Sequence, residues 1–548
     1  MNPIELSKAI EHESQKFEEC YLWLENSMPK LFFDEVSQDN LMLITHNLMG
    51  FDLQDYYSTI NLKRAVIVMC LDSADADLRI LSNYASYGIK NYFTFVSKTP
   101  PPNSLNNANL RIAVIYFTEE DETFEPFKFE AKEELFNQLK KRNPTLSEEA
   151  FNHLINQINT PFLRSLSLER LTLALDMFFR ARTRDNCQYE VRYEEDWKET
   201  GKPSLQLVLA WKNTPKYNFL YRLALVIHRY GLVMQRVNAT YIDPYSSNSI
   251  LIMSLALHGA NGQAAWEVAN IPDFLREFAT VKYFASFDIF DEKLVSRGIV
   301  PGVIGHFLRA AATFIHQGLV HIDPNLYTLE NVEEALVSNP ELTQKLSECV
   351  RLKFHPTEND YAAYKKLRDE LQNAVTKMDT GNIETDNRRK NILKTALSMV
   401  DNCLKTNLYT QNYTALGFRL DPKYLDELPF DRTHKFPHLP FGIFFIKGMH
   451  YFGFHIRFKD LARGGLRTVL PEKSEFVVSE RNQIFTECYN LALTQQFKNK
   501  DIPEGGAKGI VFLKPDDQIT SEIDIDGSTQ PGFSGTPLIK ISGTSYFH

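Results

Sequence analysis

Apolar and polar positions alternate along this chain in patterns that predict both strands and helices. The consecutive apolar, partly β-branched residues Ala65–Leu71 predict a buried strand. Residues 1–60 have apolar side chains at helical spacing and are predicted to be mainly helical; the apolar face contains Ile10, Phe17, Tyr21 and Leu24. The first hundred residues therefore already predict a protein of mixed α/β class.

An order of strand, helix, strand and strand is predicted twice. The first series is Ala65–Leu71, a helix from Asp75 to Tyr87, and the strands Tyr92–Val96 and Leu110–Phe117. The second series is Leu205–Trp211, Tyr217–Tyr230, Val233–Ile242 and Ile250–Leu257, followed by a helix from about Gln263. This order is typical of ferredoxin-like modules and resembles ACT-type regulatory domains, which bind small molecules, often amino acids. Two α/β packing modules without a ligand would give the same pattern.

The remaining chain is predicted to be helical and then mixed again. Helices are expected at Val303–Gln317, Asn359–Met378 and Arg388–Leu408, the last with an N-cap at Asp386-Asn387. Four strands and one helix follow, in chain order Leu416–Leu420, Phe441–Lys447, Tyr451–Phe458, the helix Ser474–Lys498 and Lys508–Leu513.

These elements predict a multidomain α/β protein with seven regions. They are an N-terminal helical region (1–60), an ACT-like module (61–130), a helical linker (131–200), a second ACT-like module (201–280), a helical region (281–409), an incomplete substrate-binding α/β domain (410–515) and an irregular tail (516–548).

Composition narrows the class of protein. With 548 residues the chain is long enough for several cores, and its net charge of −9 gives no general attraction to nucleic acid or acidic membranes. Six scattered cysteines without CxxC spacing are typical of the reducing cytoplasm and not of a disulfide framework. We expect a soluble, cytoplasmic protein that binds neither nucleic acid nor membrane.

The candidate chemistry is concentrated near the C-terminal end. Gln495 and Lys498 continue the stripe of the helix that ends there, and Lys508 follows in the glycine-rich turn Pro503–Gly509. Arg463 and Arg467 come from the loop before the helix, and a cleft with several cations would bind a dicarboxylate and let one lysine act as a base. Solvent-exposed helix ends and a basic loop would produce the same spacing.

The same residues carry a family resemblance. The segments Phe418–Asp421, Pro440–Phe444, Gly453–Phe458, Asp460–Arg467 and Tyr489–Gly509 resemble the large NAD-specific glutamate dehydrogenases, especially the long-chain fungal type. The resemblance is strongest over residues 415–513. It implies an enzyme that oxidatively deaminates L-glutamate to 2-oxoglutarate and ammonia with NAD, is a homo-oligomer at full length, and has a possible small-molecule allosteric effector.

The resemblance also assigns roles to individual positions. Lys508 corresponds to the catalytic lysine, Lys498 and Gln495 to residues that hold the substrate α-carboxylate, and Arg463 to the γ-carboxylate position. Gly464 and Gly465 correspond to glycines that line the pocket.

The catalytic aspartate and the NAD-binding domain expected of such an enzyme have no counterpart in this sequence. No residue corresponds to the catalytic aspartate, and Asp524 and Asp526 are expected in a loop. No strand is followed by GxGxxG, so the sequence predicts no NAD-binding residues and an absent Rossmann domain, as in a truncated chain. The alternative is an inactive fragment or a regulatory amino-acid-binding protein.

Two further motifs bear on metal or phosphate binding. His434 and His438 are separated by Pro437, which argues against a helical metal pair, and we predict no metal site. Gly505–Gly509 is not a phosphate-binding Walker A loop, because its lysine precedes glycine without a following Ser or Thr.

Overall fold

The computed structural model describes residues 3–513 with the exception of 51–55, 85, 103–106, 118–130, 159, 198–199, 244–248, 261, 285–287, 412 and 472. The predicted tail, with Asp524 and Asp526, lies outside the described residues. Contacts divide the chain into two compact units, one ending at Lys282 and the other beginning at Tyr283. Each unit has its own buried apolar cluster.

The first unit contains eleven helices and eight strands among its described residues. In chain order they are α1 (Pro3–Ser27), α2 (Lys30–Glu35), α3 (Gln38–Leu48), β1 (Tyr57–Asn61), β2 (Ala65–Leu71), α4 (Ala76–Tyr84), β3 (Ile89–Val96), β4 (Leu110–Phe117), α5 (Lys132–Arg142), α6 (Glu148–Gln157), α7 (Thr160–Ser165), α8 (Leu168–Ala181), β5 (Gln188–Trp197), β6 (Lys202–Lys212), α9 (Phe219–Arg229), β7 (Leu232–Ile242), β8 (Ile250–Gly259), α10 (Ala265–Val268) and α11 (Ile271–Phe278).

These strands form one eight-stranded sheet in the order β1-β2-β4-β3-β7-β8-β6-β5, with all neighbours antiparallel. The two halves have the same internal order and meet through β3 and β7, where Asn91 pairs with Thr240 and Phe93 with Asn238. The predicted strand–helix–strand–strand order is thus present in both halves. The likeness to ACT domains stays a prediction.

The two edge strands were missed, for the same physical reason. β1 lies inside the predicted helical region 1–60, and β5 lies inside the predicted helical linker 131–200, so both assignments are wrong there. β1 is largely exposed and β5 is mostly half-buried, and both carry polar residues, as in Tyr57-Ser-Thr-Ile-Asn61. β2 is buried on both faces and therefore has the continuous apolar run that predicted it. The edge strands of the sheet lack such a run.

The second unit contains seven helices and seven strands among its described residues. They are α12 (Gly302–Leu319), α13 (Leu329–Ser338), α14 (Pro340–Phe354), α15 (Tyr361–Lys377), α16 (Ile383–Asn402), β9 (Cys403–Thr406), β10 (Leu416–Leu420), β11 (Gly442–Lys447), β12 (Tyr451–Arg457), β13 (Ala462–Arg463), β14 (Leu466–Val469), α17 (Ser474–Arg481), α18 (Ile484–Lys498) and β15 (Gly505–Leu513). Four shorter helical turns are Val281–Tyr283 at the boundary, Asp291–Val295, Pro422–Glu427 and Arg432–His434.

The helices and the sheet of this unit share one core. The strand order is β13-β15-β12-β11-β10-β9, with β14 also paired to β15. Phe314 of α12 packs against Phe445 and Phe454 of the sheet, with ring centroids 5.3 and 6.0 Å apart. The mixed α/β architecture with antiparallel sheets agrees with the predicted fold class.

Three predicted boundaries in this unit are wrong. The helix predicted for Arg388–Leu408 ends at Asn402 and becomes β9, and its N-cap is Asn382, whose side chain accepts a hydrogen bond from Thr385. The helix Ser474–Lys498 is two helices with a break after Arg481. The glycines before Lys508 belong to β15 and not to a turn.

Among the described residues, no helix is long and apolar enough to cross a membrane. In the same residues, no three or more His, Cys, Asp or Glu side chains are grouped as a metal ion requires.

Candidate active site

Lys508 lies in the middle of a strand that is paired on both sides. β15 runs antiparallel to β12, where Lys508 is opposite Ile456, and parallel to β13 and β14 on its other edge. The Lys508 side chain is half-buried, while residues 463–468 of the neighbouring loop and strands are exposed. The paired strand therefore fixes the lysine backbone beside an accessible segment.

Gly464 and Gly465 bring that segment against the lysine strand. A Cβ on Gly464 would lie 1.6 Å from the carbonyl oxygen of Ala507, and a Cβ on Gly465 would lie 3.6 Å from Nζ of Lys508. The amide of Gly509 also donates to the carbonyl of Gly465 at 3.0 Å. Only residues without a side chain permit this approach at position 464, and the lysine ammonium is next to the second glycine.

The end of α18 is joined to the start of β15 by direct hydrogen bonds. The amide of Gly506 donates to Oε1 of Gln496 at 2.7 Å, and Nδ2 of Asn499 donates to the carbonyl of Gly505 at 2.9 Å. A Cβ on Gly506 would lie 2.0 Å from the backbone nitrogen of Gln496. Helix and strand are thus in backbone contact, and this contact sets the position of Lys508 relative to α18.

Gln495 and Lys498, the predicted carboxylate ligands, occupy different environments at this helix end. Nε2 of Gln495 donates to Oδ1 of Asn499 at 2.9 Å, so this amide supports the residue that bonds to Gly505. Lys498 is exposed, and its ammonium forms no hydrogen bond or ion pair with any described residue. The structure therefore shows one predicted ligand engaged in the scaffold and one open to solvent.

Arg463 and Arg467 are each paired with a carboxylate. Nε of Arg463 lies 3.6 Å from Oε2 of Glu504, and Arg467 forms an ion pair with Glu487 of α18. The two arginine side chains are 65% and 54% exposed, so these pairs contribute little to stability and can be exchanged for another carboxylate at low cost.

Cys488 of α18 contacts the backbone of β15 and is not a nucleophile. Its thiol donates to the carbonyls of Lys508 and Phe454 at 3.2 and 3.5 Å. Burial raises the pKa of Cys488 to about 12, so the thiol remains protonated near neutral pH. Its role is to hold the backbone of the lysine strand against α18.

Gln317 of α12 holds the junction between α17 and α18. Its Nε2 donates to the carbonyl of Arg481 at 2.7 Å, and its Oε1 accepts from the amide of Phe485 at 3.0 Å. Both backbone groups lie at a helix end where no intrahelical partner exists. One buried amide thus stabilises the break and fixes where α18 begins.

The geometry brings together some of the predicted site residues. Lys508, Gly464 and Gly465 lie at one edge of β15, with Arg463 in the adjoining strand β13. Sequence reasoning missed Gln317, Gln496 and Asn499, which position this edge. The glycine pair Gly505-Gly506 was the available signal for the last two, since such a pair allows close backbone approach.

This arrangement can accommodate a small anion. An ammonium lies beside glycine backbone, a second ammonium is free at the adjacent helix end, and two exposed arginines have exchangeable partners. Such groups complement carboxylates.

Comparisons with known proteins show which residues resemble the large NAD-specific glutamate dehydrogenases. The family described as bacterial NAD-glutamate dehydrogenase, catalytic domain, matches residues 376–530, which includes α16 to β15 and continues beyond Leu513. The NAD-specific glutamate dehydrogenase of Neurospora crassa is 28% identical over 358 residues, covering 58% of this chain and 33% of that protein.

Two other relatives are more similar over shorter stretches. Glutamate dehydrogenase 2 of Dictyostelium discoideum is 37% identical over 206 residues, covering 37% of this chain and 19% of the relative. The NAD-specific glutamate dehydrogenase of Saccharomyces cerevisiae is 44% identical over 124 residues, covering 23% and 11%. The chain thus matches at most a third of the length of these relatives, and the predicted resemblance to large NAD-specific glutamate dehydrogenases is confirmed.

Proposed function

We propose that this chain supplies the amino-acid-binding part of an NAD-dependent glutamate dehydrogenase. The whole protein would convert L-glutamate, water and NAD to 2-oxoglutarate, ammonia and NADH. The observation that supports this most directly is the position of the Lys508 ammonium, adjacent to Gly465 of the exposed segment 463–468 beside β15. The match of residues 376–530 to a glutamate dehydrogenase catalytic domain supports the same function.

In this proposal Lys508 is the proton-transfer group. Its neutral amine would take a proton from the water that attacks the substrate iminium carbon, and would return it as the carbinolamine breaks down. The half-buried position and the fixed backbone hold the amine in place, and the adjacent glycines leave room for the substrate carbon.

The substrate carboxylates would be held by the surrounding cations and amide. Lys498 and Gln495 would bind the α-carboxylate, and Arg463 would bind the γ-carboxylate after leaving Glu504. Gln495 would do so while continuing to support Asn499, since an amide has further hydrogen-bonding capacity. Gly464 and Gly465 would line the pocket.

NAD would serve as the hydride acceptor, and two of the relatives are named NAD-specific glutamate dehydrogenases. A dinucleotide site in the usual form requires a parallel sheet and a glycine-rich loop that opens a helix. The described residues do not fit this requirement, because their parallel pairs are β13 and β14 with β15, and none leads into such a loop. No residue described here is therefore assigned to the nucleotide.

Binding of 2-oxoglutarate to the chain tests the carboxylate assignments. Arg463→Ala should weaken 2-oxoglutarate binding about tenfold, measured by isothermal titration calorimetry, because a charged hydrogen-bond partner is lost. The same variant should bind 2-oxobutyrate, which lacks the γ-carboxylate, as well as the unmodified protein does. Lys500→Ala, an exposed neighbour of the helix end, is the matched control. Equal weakening for both ligands would contradict the γ-carboxylate role.

Lys508→Ala separates binding from chemistry. It should abolish glutamate-dependent NADH formation by the whole enzyme, with its nucleotide-binding part present, while changing the 2-oxoglutarate affinity of the chain by no more than about threefold, since the amine acts mainly in the reacting complex. Turnover in this variant equal to that of the unmodified protein would rule out Lys508 as the proton-transfer group.

A further inference from the structure

The first unit contains a large cavity that the proposed reaction does not use. Its volume is about 920 Å³, within the range of small-molecule sites. It is lined by the ends of β2, β3 and β8, the start of β4, the middle of β7, the β5–β6 connection and the α1–α2 junction. Strands from both halves of the eight-stranded sheet therefore contribute to one cavity.

The walls of this cavity are strongly cationic. Five basic side chains face a single carboxylate, that of Asp72; the basic residues are Lys30, Lys98, Arg111, Lys202 and Arg236. Arg111 is fully buried and already holds Asp72 at 2.8 Å together with Asp77 of α4. The net positive charge that remains comes mainly from three exposed lysines at the mouth, Lys30, Lys98 and Lys202. An anion would be attracted to this site.

A β-bulge places an acceptor without a partner in the cavity wall. The register between β7 and β8 shifts between Met234 and Arg236, so Gln235 is the extra residue. Oε1 of Gln235 is buried and accepts no hydrogen bond from the described residues. A buried acceptor without a donor costs free energy, and a ligand with an N–H or O–H group would satisfy it.

The remaining wall includes two buried aromatic side chains. Phe95 and Trp197 are buried at 2% and 6% exposure, and the guanidinium of Arg236 lies 4.9 Å from the Trp197 ring centroid. His258 completes the wall; burial lowers its pKa, which favours the neutral imidazole there. A ligand with an apolar body would be covered by these side chains.

We infer that this cavity binds a small organic anion that combines a phosphate or carboxylate group with an apolar body and a hydrogen-bond donor. The lysines at the mouth hold the anionic group, Phe95 and Trp197 cover the body, and Gln235 accepts from the donor. This site lies in the first unit and is distinct from the lysine site on β15, so it provides this protein with a second ligand.

Two probes distinguish the sources of the anion. AMP carries phosphate on an aromatic body with amino and hydroxyl donors, and citrate carries only carboxylates and one hydroxyl. Isothermal titration calorimetry on the full chain at low ionic strength should show one site for at least one of the two probes. Failure of both to bind at millimolar concentration would overturn the inference.

Matched variants locate the binding. Gln235→Leu keeps the side-chain size and should weaken the bound probe about fivefold, because one hydrogen bond is lost. The double change Lys98→Gln and Lys202→Gln should weaken it at least about tenfold, whereas Lys141→Gln on the exposed face of α5 should leave it unchanged. Lys498→Ala in the second unit should also leave it unchanged, which separates this site from the proposed glutamate site.

Hydrogen exchange provides a readout that does not depend on variant stability. The bound probe should slow amide exchange around the bulge at Met234–Arg236, relative to β11 in the second unit. Binding that is unaffected by both cavity changes, or that protects β11 and not the bulge, would refute the assignment.

Discussion

At the scale of single residues, the tightest constraint near Lys508 is the absence of a side chain at position 464. Gly464→Ala would place a methyl group 1.6 Å from the Ala507 carbonyl oxygen, so the loop or the strand must move. We expect a loss of about 1–3 kcal/mol in the free energy of unfolding and a marked loss of 2-oxoglutarate binding. Urea denaturation and calorimetry measure the two effects.

Gly417→Ala is the matched control for this change. Gly417 lies in β10 of the same sheet, and a Cβ there would meet nothing closer than the side-chain oxygen of Asn407 at 3.9 Å. It should therefore leave unfolding and binding nearly unchanged. Comparable effects of the two substitutions would show that glycine flexibility, and not the contact with Ala507, determines the result.

The sequence identified these glycines but not their contacts. The Gly464-Gly465 and Gly505-Gly506 pairs predict that another group approaches the backbone closely, and for the second pair either a ligand or another part of the chain would fit. In the structure that group is α18, since Gly506 meets the Gln496 backbone. Spacing alone cannot distinguish a helix from a ligand, because both need the same missing Cβ.

At the scale of elements, Asn499 connects the end of α18 to the beginning of β15. It donates to Gly505 and accepts from Gln495, and it is 6% exposed. Asn499→Ala leaves two partners without a bond and should lower the free energy of unfolding by about 1–3 kcal/mol. It should also weaken 2-oxoglutarate binding, because Gln495 loses its support.

Lys500→Ala serves as the control for this helix end. Lys500 is the next residue and is exposed, so its removal should change neither stability nor binding. The assigned connection would be contradicted if Asn499→Ala, assayed by the same urea titration, were as stable as the control.

The elements themselves were largely predictable, and the failures have a common origin. β2, β4 and β10 have the bounds that the apolar runs predicted. The break between α17 and α18 was missed because Gln317, over 150 residues earlier in the chain, supplies its hydrogen bonds. The periodicity of residues near a break carries no information about a distant side chain such as Gln317. For the same reason, it could not show how the site residues near α18 are positioned.

At the scale of the whole molecule, the described residues place the two candidate binding sites in separate units. The lysine site lies at the edge of a sheet that shares its core with α12–α16, and the cationic cavity lies in the eight-stranded sheet. Each unit has its own buried cluster. Substitutions in one site should therefore be additive with substitutions in the other, apart from any linkage through ligands.

The second unit also contains buried ionisable groups whose contributions to the free energy of unfolding change in opposite directions with pH. Burial lowers the pKa of His316 to about 4; nearby Arg481 contributes, and Glu330 opposes it less strongly. Burial likewise lowers the pKa of His321 to about 4, with a contribution from Lys435. Because their unfolded values are near 6.5, these residues stabilise the fold at neutral pH, and that stability is lost as pH falls from 6.5 through 4.

Glu333 of α13 affects the stability of the fold at neutral and higher pH. Burial, followed by the charges of Asp288 and Glu330, raises its pKa from 4.5 to about 7, while Arg481 and Lys447 oppose the shift. A raised carboxyl pKa stabilises the fold below the unfolded value, and this stability is lost as pH rises through 7. Glu333→Gln should therefore be more stable than the unmodified chain by about 3 kcal/mol at pH 8, by the linkage of pKa to stability, and about equal to it at pH 4. Urea titrations of both proteins across this range measure the difference, with Glu370→Gln on the exposed face of α15 as the control. A difference that stayed constant with pH would show that the change acts through packing and not through the charge.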